Sequence, residues 1–313
     1  MTTPIFVSSP STPTAVAIGR AAARALLHNI RGHVLAVFSC GCYLQAPDGS
    51  LAFVGLPTLG RGPLNVIVDI PDWLERVRPG DEWRRRNTQI VIGGSTAFAL
   101  PNVDPWRPPP APGRPPPDVA LVTLTKFASR QAPTSGLGPT VVPMLLGNAI
   151  ATSAQPLLAV AAGPLNALRD WVSSDAWGKP PAEAVKLLGL GPGLTPAGDD
   201  ALSGALLALQ AFGEPVAARS LSDFLGAVAI AATSAISRAH LACAIDGEGH
   251  ECLHALFTAL ASAEPDAIAF TADRVTAIGH SSGWDALAGV AAVLAGLSRR
   301  ADQRQRQRRG VGI

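Results

Sequence analysis

The chain has 313 residues, which is enough for two ordinary domains or for one large domain with a sizeable core. Hydrophobic residues make up 48% and charged residues only 15%, which excludes disorder over most of the length, and the 5% of aromatic residues favours a core of Ala, Leu and Val in closely packed helices. The net charge of +2 is concentrated in the last fifteen residues, where six Arg stand against Asp302, so nucleic acid is not expected as a partner of the body of the chain.

The first ten residues, Met1–Pro10, lack the basic residues and the apolar stretch of a signal peptide. Four cysteines are too few and too unevenly placed for a secreted disulfide framework. The longest uncharged stretch, Gln131–Leu168, contains five prolines, which is incompatible with a simple membrane-spanning helix. We therefore expect a cytoplasmic protein with no membrane segment.

Short β-branched or alternating runs fill the first part of the chain, after one Ala-rich helix predicted over Ala15–Leu27. Turns rich in Gly, Pro and Asp separate them, and Asp48-Gly49 is typical of a hairpin turn. The predicted strands are His33–Phe38, Leu51–Val54, Asn65–Ile70, Thr88–Ile92 and Val119–Thr125. Pro101–Pro117 contains two proline triplets, so we expect an exposed polyproline-like loop or linker there.

From about Leu157 onward, Ala and Leu recur at spacings of three and four, which indicates helices. The better candidates are Leu157–Asp170, Ala182–Leu188, Pro196–Phe212, Ser220–Ala239, Glu251–Ala261 and Ser282–Leu297. We therefore predict an α+β fold: a β-rich domain over residues 1–140 with the Pro-rich insert at 101–117, a mostly α-helical domain over 141–298, and a basic disordered tail over 299–313.

The segment Gly189–Asp200 reads GLGPGLTPAGDD, a glycine-rich loop that runs directly into a predicted helix. Thr195 is expected as the N-cap and Pro196 at the first helical position. Glycines let backbone amides approach a ligand, and a helix N-terminus carries partial positive charge, so the loop is a candidate site for a phosphate or a carboxylate. It is neither a Walker loop nor a good dinucleotide fingerprint.

Two adjacent carboxylates, Asp199 and Asp200, stand at the start of this helix in a chain with few charges, and they point about 100° apart. One could bind a metal, a substrate amide or a proton while the other caps the helix; alternatively, both only favour the positive end of the helix dipole. Gly198 and Gly204 are poor helix residues, which indicates that something approaches closely.

A polar stripe of Thr233, Ser237 and His240 falls on the helix predicted over Ser220–Ala239. It predicts contact with a site or with another helix, and hydroxyls bonded back to their own helix are the alternative.

Two groups of Cys and His residues are weaker candidates for a functional site. Cys40-Gly41-Cys42 favours half-buried thiols over a zinc site, and the spacing of His250, Cys252 and His254 fits a metal but lacks an HExxH pattern, so no metal ligands are assigned.

The segment Gly279–Asp285 reads GHSSGWD and opens an apolar helix. Ser282 and Asp285 form the Ser-x-x-Asp version of a capping box. His280 and Ser281 are not explained in that way. His280 could donate to an anion or act as a general acid or base, and the alternative is a loop histidine bonded to backbone.

In this order, the Gly189–Asp200 string, the Thr233–Ser237 segment and the Gly279–Asp285 motif resemble a bacterial family of uncharacterised-domain proteins that includes the AllH-type subunit of oxamate carbamoyltransferase, from anaerobic allantoin (purine) breakdown. The resemblance is strongest over Lys186–Gly296, and the first half matches only in its β-rich character. It implies a subunit that works with two others, one similar to an acyl-CoA synthetase, in the exchange of oxalurate and phosphate with oxamate and carbamoyl phosphate.

The resemblance implies that the two glycine-containing motifs face each other across a site for a small anionic substrate such as carbamoyl phosphate. The expected catalytic residues are Asp199, Asp200 and His280, and the expected substrate-binding residues are Gly191, Gly193, Thr195, Gly198, Ser237, Ser281 and Ser282. Position 197 often carries Ser in such strings and is Ala here. No cofactor is assigned, although a divalent ion on the paired aspartates stays open. The alternatives are a non-catalytic partner or regulatory subunit of an acyl-synthetase-like complex, and a nucleic-acid-associated protein that acts through the Arg tail.

Overall fold

The computed structural model describes residues 12–70, 72–151, 153–174 and 177–310, so the N-terminal segment Met1–Pro10 lies outside the described residues. The chain divides into two units, Met1–Arg107 and Pro108–Ile313, and each has its own hydrophobic core. The first unit is built on a β-sheet and the second is helical. The predicted α+β fold, β-rich first and helical second, is confirmed.

The first unit is one eight-stranded sheet with a short helix packed on it. Its elements are β1 (Ala17–Ile18), α1 (Arg20–His28), β2 (Arg31–Phe38), β3 (Gly41–Gln45), β4 (Leu51–Gly55), β5 (Asn65–Ile67), β6 (Glu82–Arg86), β7 (Gln89–Ile92) and β8 (Thr96–Ala99). The strand order is β1-β5-β4-β3-β2-β6-β7-β8; β4 and β5 pair in parallel, and the other neighbouring strands of the described sheet pair antiparallel. The chain just before β1 also pairs with β8, at Thr14 and Ala99, and so joins the two edges of the sheet.

The strand β3 was not predicted from the sequence. Its residues are almost all buried, so the run lacks the alternation of apolar and polar residues that indicates a half-buried strand. The Asp48-Gly49 turn therefore joins β3 to β4: Asp48 accepts hydrogen bonds from the Ser50 N–H (2.9 Å) and hydroxyl (2.6 Å), and Gly49 has a φ of 84°. Cys40 lies in the turn before β3 and Cys42 lies in β3, and burial raises the pKa of the Cys42 thiol to about 12.

The helical unit contains nine labelled α-helices within the described residues. They are α2 (Asp118–Gln131), α3 (Gly138–Leu145), α4 (Pro156–Ser173), α5 (Ala197–Ala211), α6 (Pro215–Ala232), α7 (Ala235–Ile245), α8 (Glu251–Ser262), α9 (Pro265–Thr276) and α10 (Ser282–Gly310), with a 3-10 segment at Ala182–Leu187. The most buried helix is α5, and it packs on α10 through small residues. A Cβ on Gly204 would lie 2.1 Å from the Ala286 carbonyl oxygen, and one on Gly289 would lie 1.8 Å from that of Ala201.

The predicted strand Val119–Thr125 is wrong, because it lies in α2. The β-branched residues of that run suggested a strand, yet Ala120, Leu124 and Ala128 recur every four residues and form the buried stripe of a helix. The boundary between the units consequently falls at Arg107/Pro108 instead of near residue 140.

The Pro-rich segment is mostly exposed, as expected, but it is anchored on the helical unit. The Gly113 N–H donates to the Ala211 carbonyl at the end of α5 (2.8 Å), and the Arg114 guanidinium donates to the Ala261 carbonyl near the end of α8 (3.1 Å). The segment is therefore not a free linker at this point.

The helix predicted over Ser220–Ala239 is in fact two helices, α6 and α7. The helical conformation is interrupted at Thr233 and Ser234. The Ser234 hydroxyl caps α7 by accepting a hydrogen bond from the Ser237 N–H at 3.0 Å. The helix α9 was not predicted at all, although Pro265 opens it and Ala263, with a φ of 59°, ends α8 before it.

The expectation of a disordered tail over 299–313 is wrong for its described part, because α10 continues to Gly310. Arg300 forms a buried ion pair with Glu214 and lies over the Trp177 ring at 4.4 Å, and Arg299 pairs with Asp170 at 2.9 Å. Residues 301–309 are exposed. Searched over its described residues, the chain has no helix that is both long and apolar enough to cross a membrane.

Candidate functional site

Asp199 is the residue around which the glycine loop is built. Its side chain is almost fully buried, and its Oδ1 accepts a hydrogen bond from the Gly189 N–H at 2.9 Å. Its Oδ2 accepts from the hydroxyls of Thr233 and Ser237, the latter at 2.6 Å. One carboxylate therefore ties the start of α5 to the start of the loop and to the break between α6 and α7.

The loop from Gly189 to Leu194 follows a path that only glycine permits at its turns. Gly191 has a φ of 112°, and a Cβ there would lie 3.0 Å from the Ala197 nitrogen. At Gly198 a Cβ would lie only 1.9 Å from the Leu187 carbonyl oxygen, so α5 starts in direct backbone contact with the 3-10 segment. The Ser234 hydroxyl donates to the Leu194 carbonyl at 2.5 Å and fixes the far end of the loop.

The backbone donors of this region fall into two sets. The Gly198 N–H donates to the Leu190 carbonyl (2.9 Å), and those of Asp199 and Asp200 donate to the Pro196 carbonyl, so these three N–H groups at the start of α5 are satisfied. In the part of the chain that the structure describes, the N–H groups of Gly191, Gly193 and Ala197 have no such partner. The donors available to an anion thus lie in the loop and at the first residue of α5.

Asp200 is the second carboxylate, and its environment differs from that of Asp199. Its pKa is raised well above the ordinary value, chiefly by burial and further by the nearby charges of Asp285 and Asp199, against hydrogen bonds from Ser282 and Thr195. Its Oδ2 is buried without a hydrogen-bond partner among the described residues. Burial therefore disfavours the charged form of Asp200, and its Oδ2 has unused hydrogen-bonding capacity.

The two glycine motifs meet at Asp200. Thr195 belongs to the first motif and Ser282 to the second, and their hydroxyl oxygens lie 3.2 Å apart. The predicted N-cap role of Thr195 is wrong, because α5 begins at Ala197 with Pro196 as its N-cap. The Thr195 hydroxyl contacts the second motif instead.

Asp285 is the third carboxylate of the cluster, and the predicted capping box with Ser282 is not what it forms. Its Oδ1 accepts from the Leu137 N–H at 2.6 Å, and the Ser281 side chain also hydrogen-bonds to it. Burial raises the pKa of Asp285 above its usual value in spite of these bonds. Gly136, with a φ of 59°, lies so close that a Cβ there would be 2.6 Å from Oδ1. Asp285 therefore anchors the turn before α3.

The structure thus brings most of the predicted site residues together and gives them different roles. Asp199 and Ser237 hold the loop, Gly198 makes the close approach, and the hydroxyls of Thr195 and Ser282 hydrogen-bond to the carboxyl group of Asp200. Ser281 is half-buried against Asp285, and His280 is exposed on the turn before α10.

Sequence reasoning missed two parts of this arrangement. Ser234 was not singled out, although a Ser before an apolar helical run is a recognisable N-cap signal. The contact of Leu137 with Asp285 joins residues 148 positions apart, and no local pattern announces it.

The His and Cys residues of α7 and α8 form a separate structural group. The ring Nδ1 of His250 lies 3.0 Å from the Cys252 sulfur, and the His254 Nε2 accepts from the Gly249 N–H at 3.0 Å. Burial raises the pKa of the Cys252 thiol to about 12. Within the described ranges, no three His, Cys, Asp or Glu residues are arranged to hold a metal ion.

The groups around Asp200 and in the glycine loop offer two kinds of hydrogen bonding. A carboxyl group that holds its proton donates one hydrogen bond and accepts another, which matches the C=O and N–H of a primary amide. Loop N–H groups, in turn, suit a phosphate or a carboxylate.

Comparisons with known protein families match both units of the chain. Residues 187–294, which hold all three motifs, match the family described as oxamate carbamoyltransferase subunit AllH. Residues 14–105, the sheet unit, match the AllH family N-terminal domain, which extends the β-rich likeness expected from the sequence. No curated protein and no solved structure matches the chain. Because the two matches together cover most of its length, the chain belongs to the AllH family.

Proposed function

We propose that this chain is a subunit of a carbamoyl- or acyl-transferring enzyme and binds a small anionic amide, such as carbamoyl phosphate, at Asp200. The observation that carries the proposal is the buried, unpartnered Oδ2 of Asp200, with Thr195 and Ser282 beside it at the junction of the two glycine motifs. The family name, which refers to an oxamate carbamoyltransferase subunit, supports the same reaction class.

In this proposal, Asp200 recognises the carbamoyl group and the loop recognises the anion. The Asp200 carboxyl pairs with the carbamoyl C=O and NH₂, while the N–H groups of Gly191 and Gly193 bind the phosphate. The amide nitrogen of the acceptor attacks the carbamoyl carbon, the carbon–oxygen bond to phosphate breaks, and the proton that the nitrogen loses leaves with the phosphate. Donors fixed before the reaction stabilise the negative charge that develops on the phosphate.

Asp199 and Ser237 are positioning residues in this scheme. Both oxygens of Asp199 already accept hydrogen bonds from the protein, so its carboxylate acts on the substrate only through the shape of the loop. His280 stays a candidate for charge stabilisation, because it lies exposed two residues before Ser282. A divalent ion would have Asp200 and the two hydroxyls as ligands, and it would then take the place of the Asp200 proton.

Calorimetric titration with carbamoyl phosphate, oxamate and oxalurate tests the proposal, with the chain alone and together with its partner subunits. We expect binding by the wild type and at least a tenfold loss in Asp200→Ala, because the alanine side chain has neither a hydrogen-bond donor nor an acceptor. Asp273→Ala, which removes an exposed carboxylate on α9, is the matched control. The proposal fails if the wild type binds none of the three compounds.

One observation favours the alternative of a non-catalytic partner subunit. Leu194 at the tip of the loop has 45% of its surface exposed, next to the exposed Pro192 and Gly193. An exposed apolar loop tip is suited to an interface with another subunit. The double variant Asp199→Asn/Asp200→Asn separates the two roles: an assembled complex without activity rejects the non-catalytic reading, and an assembled, fully active complex supports it.

A further inference from the structure

A second concave site lies at the opposite end of α5 from Asp200. It is a cavity of about 280 Å³, closed on one side by Pro109–Pro112 of the Pro-rich segment and on the other by Leu207, Ile245 and Phe257. Gln210 and Asp200 are ten residues apart on α5, so about 15 Å of helix separates this cavity from the candidate site. The anchoring of Gly113 on Ala211 holds the proline wall in place.

One polar atom beside this cavity is an unused hydrogen-bond acceptor. The side-chain nitrogen of Gln210 donates to the carbonyls of Ala244 and Ile245, at 3.1 and 3.3 Å, which turns the amide oxygen away from them. That oxygen is buried without a hydrogen-bond partner among the described residues, and a Cβ on Gly247, another residue of the lining, would lie 3.3 Å from it. Asp246, an exposed residue, also borders the cavity.

The ends of two helices add partial negative charge at the cavity. Both α5 and α7 end at the cavity, at Ala211 and Ile245, and a helix C-terminus carries partial negative charge. Among the described residues that border the cavity, none is Lys or Arg. The one histidine, His254, stays neutral near pH 7, because burial, and next the charge of His250, lower its pKa to about 4.

We infer that this proline-walled cavity binds a small organic cation, namely a primary amine with an apolar or aromatic body. The ammonium group lies against Asp246, the C-terminal ends of α5 and α7 and the negative end of the Gln210 amide. The apolar body packs between the proline rings and Phe257. The two sites share the helix α5, but the residues that line this cavity are not those around Asp200. The inference is therefore independent of the proposed function.

Benzylamine, benzyl alcohol and benzoate test the inference, because they share one ring and differ in charge. Calorimetry and thermal shift at pH 7.5 with the full chain should show saturable binding of benzylamine, at least tenfold tighter than that of benzoate. Asp246→Asn should weaken benzylamine binding at least threefold, and Thr258→Phe, which fills the cavity from an exposed lining position, should abolish it.

Two controls locate the binding. Asp273→Asn, an exposed carboxylate outside the cavity, and Asp200→Asn, at the candidate site, should both bind benzylamine as the wild type does. The inference is overturned if benzylamine fails to saturate, if benzoate binds equally well, or if Asp200→Asn loses the binding that Asp246→Asn and Thr258→Phe retain.

Discussion

The Asp199 Oδ1 accepts a hydrogen bond from the Gly189 N–H at 2.9 Å, and this bond closes the ten-residue glycine loop onto the helix that follows it. The other oxygen of the same carboxylate holds Thr233 and Ser237, at the break between α6 and α7. The acid that seemed from the sequence to be a catalytic candidate thus holds the loop in place, while its neighbour Asp200 keeps one buried oxygen without a hydrogen-bond partner among the described residues.

Asp199→Asn should destabilise the helical unit by about 3 kcal/mol or more, because three donors lose a charged acceptor in a buried place. Urea unfolding monitored by Trp fluorescence measures the change. Asp273→Asn should change the unfolding free energy by less than about 0.5 kcal/mol. A loss below about 1 kcal/mol in Asp199→Asn would show that the loop is held by something else.

The stability of Asp200→Asn, measured relative to that of the wild type, should increase as the pH rises. The folded-state pKa of Asp200 is raised, so between the unfolded and folded pKa values the folded state binds more protons and its stability falls with increasing pH. Asn has no proton to lose and removes this contribution. Melting temperatures measured from pH 5 to pH 9 should therefore diverge, and parallel curves would contradict the buried environment of Asp200.

His254 should contribute the opposite pH dependence. Its pKa is lowered to about 4, from an unfolded value near 6.5, so its contribution to stability is complete above pH 6.5 and is lost as the pH falls toward 4. The loss amounts to about 3 kcal/mol at most. The stability deficit of His254→Gln should shrink between pH 7 and pH 4.5, and a pH-independent deficit would mean that the imidazole is exposed.

Gly289→Ala should disrupt the contact of α10 with α5, because the added Cβ would lie 1.8 Å from the Ala201 carbonyl oxygen. A cost of about 3 kcal/mol or more is expected, since the two helices must move apart. Gly226→Ala is the matched control on α6, where a Cβ meets open space. It should stabilise by about 0.5–1 kcal/mol through helix propensity alone. Equal effects in the two variants would rule out the close contact.

The order of a sheet unit followed by a helical unit could be predicted from the sequence, because alternation and the recurrence of Ala and Leu are local signals. Val119–Thr125 could not, since its β-branched residues favour a strand while its burial pattern belongs to a helix. The helix break at Thr233 was hidden for a similar reason: Ala-rich residues on both sides continue a helical pattern through it.

The site itself was partly predictable. Glycines, scarce carboxylates and paired hydroxyls drew attention to the right segments, because such residues are costly in a helix-rich core. The division of work between Asp199 and Asp200 was not predictable, since it depends on which oxygen meets Gly189, Thr233 and Ser237 after folding. The likeness of the sheet unit to its own family domain was equally beyond local pattern.

The central claim, that Asp200 is the ligand-binding acid of the site, is tested most directly by calorimetric titration of carbamoyl phosphate into the complex of this chain with its partner subunits. We predict saturable binding to the wild type and to Asp273→Ala, and at least tenfold weaker binding to Asp200→Ala in an equally well assembled complex. Equal affinity of Asp200→Ala and the wild type for carbamoyl phosphate would contradict the account.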